Sequence, residues 1–347
     1  MKTINAALAS YGMSGEIFHA PLLNAHKGFN LYKILERTKN RSPDRYPSAN
    51  IVRSYEEILT DDKIDLIIVN TPDHYHHEMA LQAIKANKHV IVEKPFTLKV
   101  QEANELISLS EKTGRLLSVF QNRRWDGDFL TVRKIIDEGL LGRLVEYEAH
   151  FDRYRNYLQK ESWKEQAASG SGTIYNLGSH LIDQALVLFG MPEAVFADIR
   201  SLRHGAEVDD AFTLLFKYPE IKVTLKVSYL VREPGPKFSL HGTHGSFLKW
   251  GIDPQEEDLK SGKDPGSPEW GKEPEEYWGI FNTEINGQRY NGKYETLPGN
   301  YPAYYDDIYD AILNNRKPGV TAEQGRDVIR VIEAAKESSK TRKEVEL

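Results

Sequence analysis

Two short motifs carry side chains able to hold or move a proton. In Glu93-Lys94-Pro95 the lysine follows an apolar run, Val90 to Val92. The carboxyl end of a buried strand is where open α/β sheets place ligands, and an ammonium group there has no easy path to bulk water, so it needs an anion or a reacting hydroxyl beside it. Pro95 keeps the preceding residue out of the helical region and so fixes the direction of the lysine. In the second motif, Gly170-Ser-Gly172 leads through Thr173-Ile-Tyr175 into Asn176-Leu-Gly-Ser-His180. Asn176 is placed to cap the apolar helix that follows, which puts His180 in its first turns. There the positive end of the helix dipole disfavours imidazolium and leaves a neutral ring able to accept a proton. Asn176 and His180 are four apart and face one side of the helix.

A third motif has the chemistry of phosphate binding. Ser10-Tyr11-Gly12-Met13-Ser14-Gly15 follows the first strand and opens a helix, the setting of a dinucleotide-binding turn. Gly12 lets the backbone approach a pyrophosphate, and the N–H groups at the helix start hold it. Ser10 stands where the first glycine of the fingerprint belongs. Glu36 follows Gly15 by 21 residues, close to the separation of about 20 for an acid that bonds the adenosine ribose. Arg37 and Thr38 come next. A carboxylate at this strand end repels a 2′-phosphate and favours NAD, whereas a neighbouring guanidinium can clamp that phosphate and admit NADP. The acid tips the reading slightly toward NAD.

His74, His76 and His77 cluster after Thr71-Pro72, but their spacing and the lack of a matching distant ligand set argue against a metal; they read as loop histidines lining the cofactor crevice. No Walker loop, metalloprotease helix or nucleophile elbow is present.

These residues sit in a chain of 347 residues, long enough for two domains. Forty per cent hydrophobic and 28% charged residues describe a globular protein. The net charge of −6 and the lack of a basic run speak against a nucleic-acid or anionic-lipid partner. There is no cysteine, which removes thiolate nucleophiles, iron-sulfur clusters and cysteine zinc sites. Residues 4–8 read as a first strand rather than a leader, and no apolar run reaches the roughly 20 residues of a membrane helix, so a cytoplasmic location is expected.

Five short apolar runs, Ile4–Leu8, Asn30–Leu35, Leu66–Asn70, Val90–Val92 and Leu116–Phe120, alternate with helical stretches and predict a parallel, doubly wound sheet. One crossover helix is predicted over Glu78–Lys85, stopped by Asn87 in the left-handed conformation. After Asn122 the pattern changes. A helix at about Phe129–Glu138 precedes extended runs at Leu144–Phe151, Ala194–Ile199, Phe212–Tyr218, Lys222–Val231, Lys237–His241 and Ser246–Lys249. They predict an antiparallel or mixed sheet with helices on one face, an α+β second domain. Asp253–Tyr277, rich in Pro, Gly and charge, reads as a long ordered loop, and Ala322–Lys340 as a final helix. The expected domains are residues 1–122 and 123–347.

Taken together, these residues resemble the Gfo/Idh/MocA family of oxidoreductases (glucose-fructose oxidoreductase, inositol dehydrogenase and rhizopine catabolism). The resemblance runs through Tyr11-Gly-Met-Ser-Gly15, Phe18-His-Ala-Pro-Leu22, Thr71-Pro72 with His76, and Lys88-His-Val-Ile-Val-Glu-Lys-Pro95. It continues through Asn122-Arg-Arg-Trp-Asp126, Tyr175-Asn-Leu-Gly-Ser-His180 with Asp183, and Val320-Thr-Ala-Glu323. Asn122–Asp126 and Asp152-Arg-Tyr-Arg155 look most like the cytoplasmic scyllo-inositol dehydrogenase branch.

The resemblance implies a Rossmann domain, then an α/β domain whose open, mostly antiparallel sheet packs against another subunit in a homodimer or homotetramer. It implies bound NAD or NADP, contacted by Tyr11, Gly12, Met13, Ser14, Gly15, Glu36, Arg37, Thr71, Pro72, His76, Glu93, Lys94 and Asn122. Lys94 matches the catalytic lysine and His180 the proton acceptor. Hydride would pass between the nicotinamide and a secondary alcohol of a cyclic polyol or sugar. Asn176 stands where the family has aspartate; an amide cannot relay a proton, which leaves it to orient substrate or ring. Arg123, Asp152, Arg153, Tyr154, Arg155 and Asp183 are candidates for substrate hydroxyls. Two other readings of the fold are an NAD-dependent glycosidase working by transient oxidation and a non-catalytic ligand-sensing regulator.

Overall fold

The computed structural model describes residues 2–159, 165–166 and 170–347. It contains two compact units, each discontinuous in sequence: Met1–Trp125 with Pro254–Trp270 and Asn300–Arg326, and Asp126–Asp253 with Gly271–Gly299 and Asp327–Leu347.

The first unit is built on six parallel strands: β1 (Ile4–Leu8), β2 (Phe29–Leu35), β3 (Asn50–Val52), β4 (Leu66–Val69), β5 (His89–Val92) and β6 (Leu117–Val119). Their order is β3-β2-β1-β4-β5-β6, the expected doubly wound sheet. All four residues of β4 are buried, because helices cover both faces of a parallel sheet and leave its central strands no polar side. The crossover helix spans His76–Lys85, and Asn87 takes φ 61° beyond it, as its sequence foretells. The edge strand β3 was not expected; three residues with two of them outside the core carry no periodic signal. The segment expected as a loop over Asp253–Tyr277 instead contains a helix, Gln255–Lys260, whose Leu259 joins Trp270 in the core of this unit. Two buried side chains in a polar stretch are too few to show as a pattern.

The second unit holds a nine-stranded sheet. It comprises β7 (Leu144–His150), β8 (Ala194–Arg200), β9 (Ala211–Lys217), β10 (Lys222–Ser228), β11 (Phe238–Gly242), β12 (Gly245–Lys249), β13 (Gly279–Ile285), β14 (Gln288–Tyr294) and β15 (Val345–Glu346). The order is β14-β13-β12-β11-β7-β10-β9-β8-β15, antiparallel except for β7 with β10. Alternation is visible in β7, where Tyr147 and Ala149 are buried while Glu148 and His150 are only half covered. Helix Ser179–Phe189 packs on the buried face, with Phe189 5.2 Å from the Tyr147 ring. The β13-β14 hairpin escaped the sequence reading because β14 is polar and exposed almost throughout. Asn286-Gly287, at φ 52° and 76°, is the turn signal that marks it.

Candidate functional site

In the first unit the strand order reverses between β1 and β4, and the two loops leaving those strands are bonded to each other. Asn70 Nδ2 donates to Ser10 O at 2.8 Å, and Ser14 Oγ donates to Asn70 O at 3.4 Å. Gly15 is required here, since a Cβ would stand 2.4 Å from Ser10 O and 2.7 Å from Asn70 Nδ2. Gly12 has room for a Cβ, 3.4 Å from Ser10 Oγ, and its own N–H donates to that hydroxyl at 3.1 Å. Ser10, in the place of a glycine, thus braces the turn. Glu16 N–H bonds Gly12 O at 2.9 Å, the start of the helical ladder, so the amides of Met13, Ser14 and Gly15 precede that ladder at the switch point of the sheet. This turn fits a dinucleotide pyrophosphate. Tyr11 is buried, whereas Met13 is exposed. Burial pushes the Tyr11 hydroxyl up to about 12.

Glu36 stands just beyond β2, at the foreseen distance, but its carboxylate turns into its own loop. It accepts from Ser42 Oγ at 2.6 Å, Ser42 N at 2.9 Å and Arg41 N at 3.0 Å. Burial alone would raise its pKa; these donors reverse that and hold it below the usual carboxylate value. Arg37 and Thr38 are exposed. Arg41 was not singled out in the sequence. Its guanidinium bonds Tyr11 O at 2.6 Å and Glu16 Oε2 at 3.0 Å, over the Tyr11 ring.

Lys94 is half-buried at the end of β5, before a cis peptide to Pro95. Glu93, counted among the cofactor contacts, is buried, with one carboxylate oxygen 2.9 Å from His19 Nε2 and the other accepting the Lys94 N–H at 3.0 Å. Burial works against this carboxylate, but the His19 bond and the nearby charges of His19 and Lys94 hold its pKa low. His76 lies inside the unit rather than along a crevice wall. Its ring nitrogens are 2.8 Å from Pro95 O and 2.9 Å from Thr71 O, tying the Thr71-Pro72 turn to the lysine turn, and burial pushes its pKa down. His77 instead pairs with Glu105 at 2.9 Å. Asn122 opens a short turn with Arg123, whose guanidinium bonds Glu256 of the unforeseen helix at 2.7 Å. Arg123 is thereby engaged inside its own unit.

In the second unit the helix carrying His180 begins earlier than its sequence suggests. Asn176 is not an N-cap; it lies in a wider π-helical turn, Ile174–Gly178, that runs directly into Ser179–Phe189. The capping is done from outside: Asp209 accepts from Thr173 Oγ1 at 2.7 Å and Ile174 N at 2.8 Å, while its own carbonyl takes the Thr173 N–H at 3.0 Å. A long-range cap of this kind leaves no local sequence trace. Burial raises the Asp209 pKa in spite of these donors. Gly172, at φ 98°, admits that carboxylate, since a Cβ would lie 2.0 Å from Asp209 Oδ1. His180 and Asp183 are buried and Asn176 is half-buried, one helical turn apart in series.

Asp152 Oδ2 is 2.8 Å from His150 Nδ1 and Oδ1 accepts Ser228 N at 2.9 Å; Glu148 lies on the other side of the His150 ring at 2.5 Å, and the two carboxylates overcome burial to raise that histidine's pKa. Arg153 stacks on Phe151, Arg155 on Tyr229, and the exposed Tyr154 receives Arg232. No group of metal-ligating side chains occurs among the described residues, and no helix there is long and apolar enough to cross a membrane.

Two family descriptions match in tandem: residues 4–121 as the NAD-binding Rossmann fold of the oxidoreductase family, and residues 133–347 as its C-terminal α/β domain. The chain belongs to the Gfo/Idh/MocA oxidoreductase family. It is therefore an oxidoreductase that uses NAD or NADP. It is 41% identical to the scyllo-inositol 2-dehydrogenase (NADP(+)) IolW of Bacillus subtilis, over 99% of this chain and 96% of that protein. It is 39% identical to the uncharacterised oxidoreductase YdgJ of Escherichia coli, over 98% and 97% of the two chains. Among solved structures, an oxidoreductase from Bacteroides fragilis is 50% identical with a TM-score of 0.93, each chain covered completely. The oxidoreductase yvaA from Bacillus subtilis is 39% identical with a TM-score of 0.95, over 100% and 99% of the chains.

Proposed function

We propose that this oxidoreductase oxidises a secondary alcohol of a cyclic polyol or sugar and reduces the corresponding ketone. The nicotinamide, when bound, supplies the hydride acceptor or donor. His180 takes the hydroxyl proton, and Lys94 donates a hydrogen bond to the same oxygen and stabilises its developing charge. Asn176, unable to relay a proton, orients the substrate or the His180 ring. Asp152, Arg153, Tyr154, Arg155 and Asp183 supply polar groups for substrate hydroxyls, and Arg123, paired to Glu256, braces its turn.

The observation that carries this reading is His180 itself. It is a buried histidine in the second turn of a helix whose start is fixed by Asp209 and opened by Gly172. The 41% identity to an inositol dehydrogenase supports the substrate class. The test is absorbance of reduced nicotinamide while a panel of inositols and aldoses is offered with NAD and with NADP. Turnover of a polyol or sugar is the expected result. Silence across the panel with demonstrated cofactor binding refutes the substrate class and favours a regulator, and release of an aglycone without net reduction identifies a glycosidase.

A further inference from the structure

The loop joining β8 to β9 closes on a buried arginine. Arg203 donates from Nε to Asp210 Oδ2 at 2.9 Å, from Nη1 to Tyr157 O at 2.8 Å and Glu165 Oε1 at 3.1 Å, and from Nη2 to Glu165 Oε2 at 2.7 Å. A guanidinium taken out of water must be matched by hydrogen-bonded anions, and its two partners are buried with it: the side chains of Arg203, Glu165 and Asp210 are 2%, 8% and 1% exposed. The planar fork grips Glu165 through two bonds, a geometry an ammonium group does not reproduce. Asp210 is fixed in turn, Oδ1 accepting the Leu202 N–H at 2.7 Å and Oδ2 the Arg203 N–H at 3.0 Å. Tyr229, whose N–H donates to Asp210 O at 3.0 Å, has the Arg203 guanidinium 5.0 Å from its ring and that of Arg155 5.3 Å away.

What Arg203 holds is the irregular stretch that follows β7. The N–H groups of Arg153 and Arg155 donate to Ser228 O at 2.9 Å and Tyr229 O at 2.7 Å, Tyr154 bridges to Leu230, and two residues beyond Arg155 the carbonyl of Tyr157 is taken by Arg203. Asp209, the residue before Asp210, fixes the start of the helix bearing His180. Two consecutive carboxylates therefore tie this stretch and that helix to the start of β9. We infer that Arg203 is a positioning residue for the substrate: through Asp210 and Glu165 it sets Arg153, Tyr154 and Arg155 in register with the His180 helix. The inference rests on the reading of those three residues as ligands of substrate hydroxyls. Side chains on a stretch already ordered lose little further freedom when a polyol binds, whereas on a loosened stretch that ordering is charged to the binding step and appears in KM.

The test compares Arg203→Met with the unaltered full-length protein in two measurements: steady-state oxidation of scyllo-inositol, or of the first inositol or aldose of the panel that turns over, and hydrogen exchange at the amides of Arg153 and Arg155. KM is expected to rise about ten-fold or more with kcat within about three-fold, and both amides to exchange faster. Arg203→Lys is expected to leave KM high, because it keeps the charge and loses the fork. Glu165→Gln, of the same shape, is expected to raise KM in the same direction, and it decides the matter if Arg203→Met does not fold. Arg200→Met, at the exposed pair with Asp198 on β8, is expected to change neither measurement. An unchanged KM in Glu165→Gln or in folded Arg203→Met overturns the inference. So does a fall in kcat at constant KM, or a parental KM in Arg203→Lys. If no inositol or aldose turns over, it is the substrate reading that has failed; exchange at Arg155 then still decides whether Arg203 holds the stretch, and unaltered exchange overturns that as well.

Discussion

His19 Nε2 lies 2.9 Å from Glu93 Oε1 in the interior of the first unit, while His19 Nδ1 stands 2.7 Å from the Tyr305 hydroxyl. Both ring nitrogens of the imidazole thus have a polar partner. The second Glu93 oxygen accepts the Lys94 amide, so the histidine of the Phe18-His-Ala-Pro-Leu22 segment reaches the proposed catalytic lysine through one carboxylate. Replacing His19 by alanine strands a buried charge and is expected to cost about 3 kcal/mol in chemical denaturation.

The same pair sets an acid limit. Glu93 has a folded-state pKa below its unfolded value, so it stabilises the fold at pH values above that unfolded value, about 4.3, and the stabilisation is lost as pH falls through the folded value. Glu93→Gln is therefore expected to lower stability at neutral pH and to flatten the decline of stability below about pH 4, measured by urea unfolding across an acid series.

His180→Ala is expected to lower kcat by about 10²–10⁴-fold while cofactor binding, followed by nicotinamide fluorescence, is retained. Full turnover in this variant would remove His180 from the proposed chemistry.

Two glycines separate strain from collision. Gly190 has φ 75° with nothing within 4 Å of the point where a Cβ would lie, whereas Gly172 has φ 98° and the Asp209 carboxylate 2.0 Å away. Gly190→Ala is expected to cost about 3 kcal/mol, the backbone penalty alone, because φ 75° with ψ −166° is a conformation essentially confined to glycine. Gly172→Ala should cost more, and should also reduce kcat because it displaces the cap of the helix bearing His180. Thermal denaturation and steady-state rates check both.

Arg123 and Arg200 each pair with a carboxylate, but their side chains are 8% and 64% exposed. Arg123→Met leaves Glu256 half-desolvated and is expected to destabilise by about 2 kcal/mol or more; Arg200→Met, at a solvated pair, should leave the unfolding midpoint unchanged.

Much of the architecture could be read from one dimension. A strand buried on both faces must be apolar along its length, as Leu66–Val69 is, and a half-buried one must alternate, as Leu144–His150 does; from those two periods the parallel and mixed sheets follow. Glycine spacing placed the phosphate turn, and the Glu-Lys-Pro and Asn-to-His spacings placed Lys94 and His180 on a strand end and a helix start. The sequence by itself therefore determined the elements with a clear apolar period and the reactive side chains that stand at their ends, whereas β3, β14 and the helix Gln255–Lys260 carry no such period.

Partnerships between distant residues were decided only by tertiary structure. Glu36 sits where its spacing requires, yet the direction of its carboxylate depends on Arg41 and Ser42 folding back and on Arg53 closing the loop. Asn176 has the chemistry of a cap, but Asp209, 36 residues beyond Thr173, does the capping. A side chain's donors and acceptors are chosen among all groups brought within about 3 Å by the fold, and no local pattern encodes that choice.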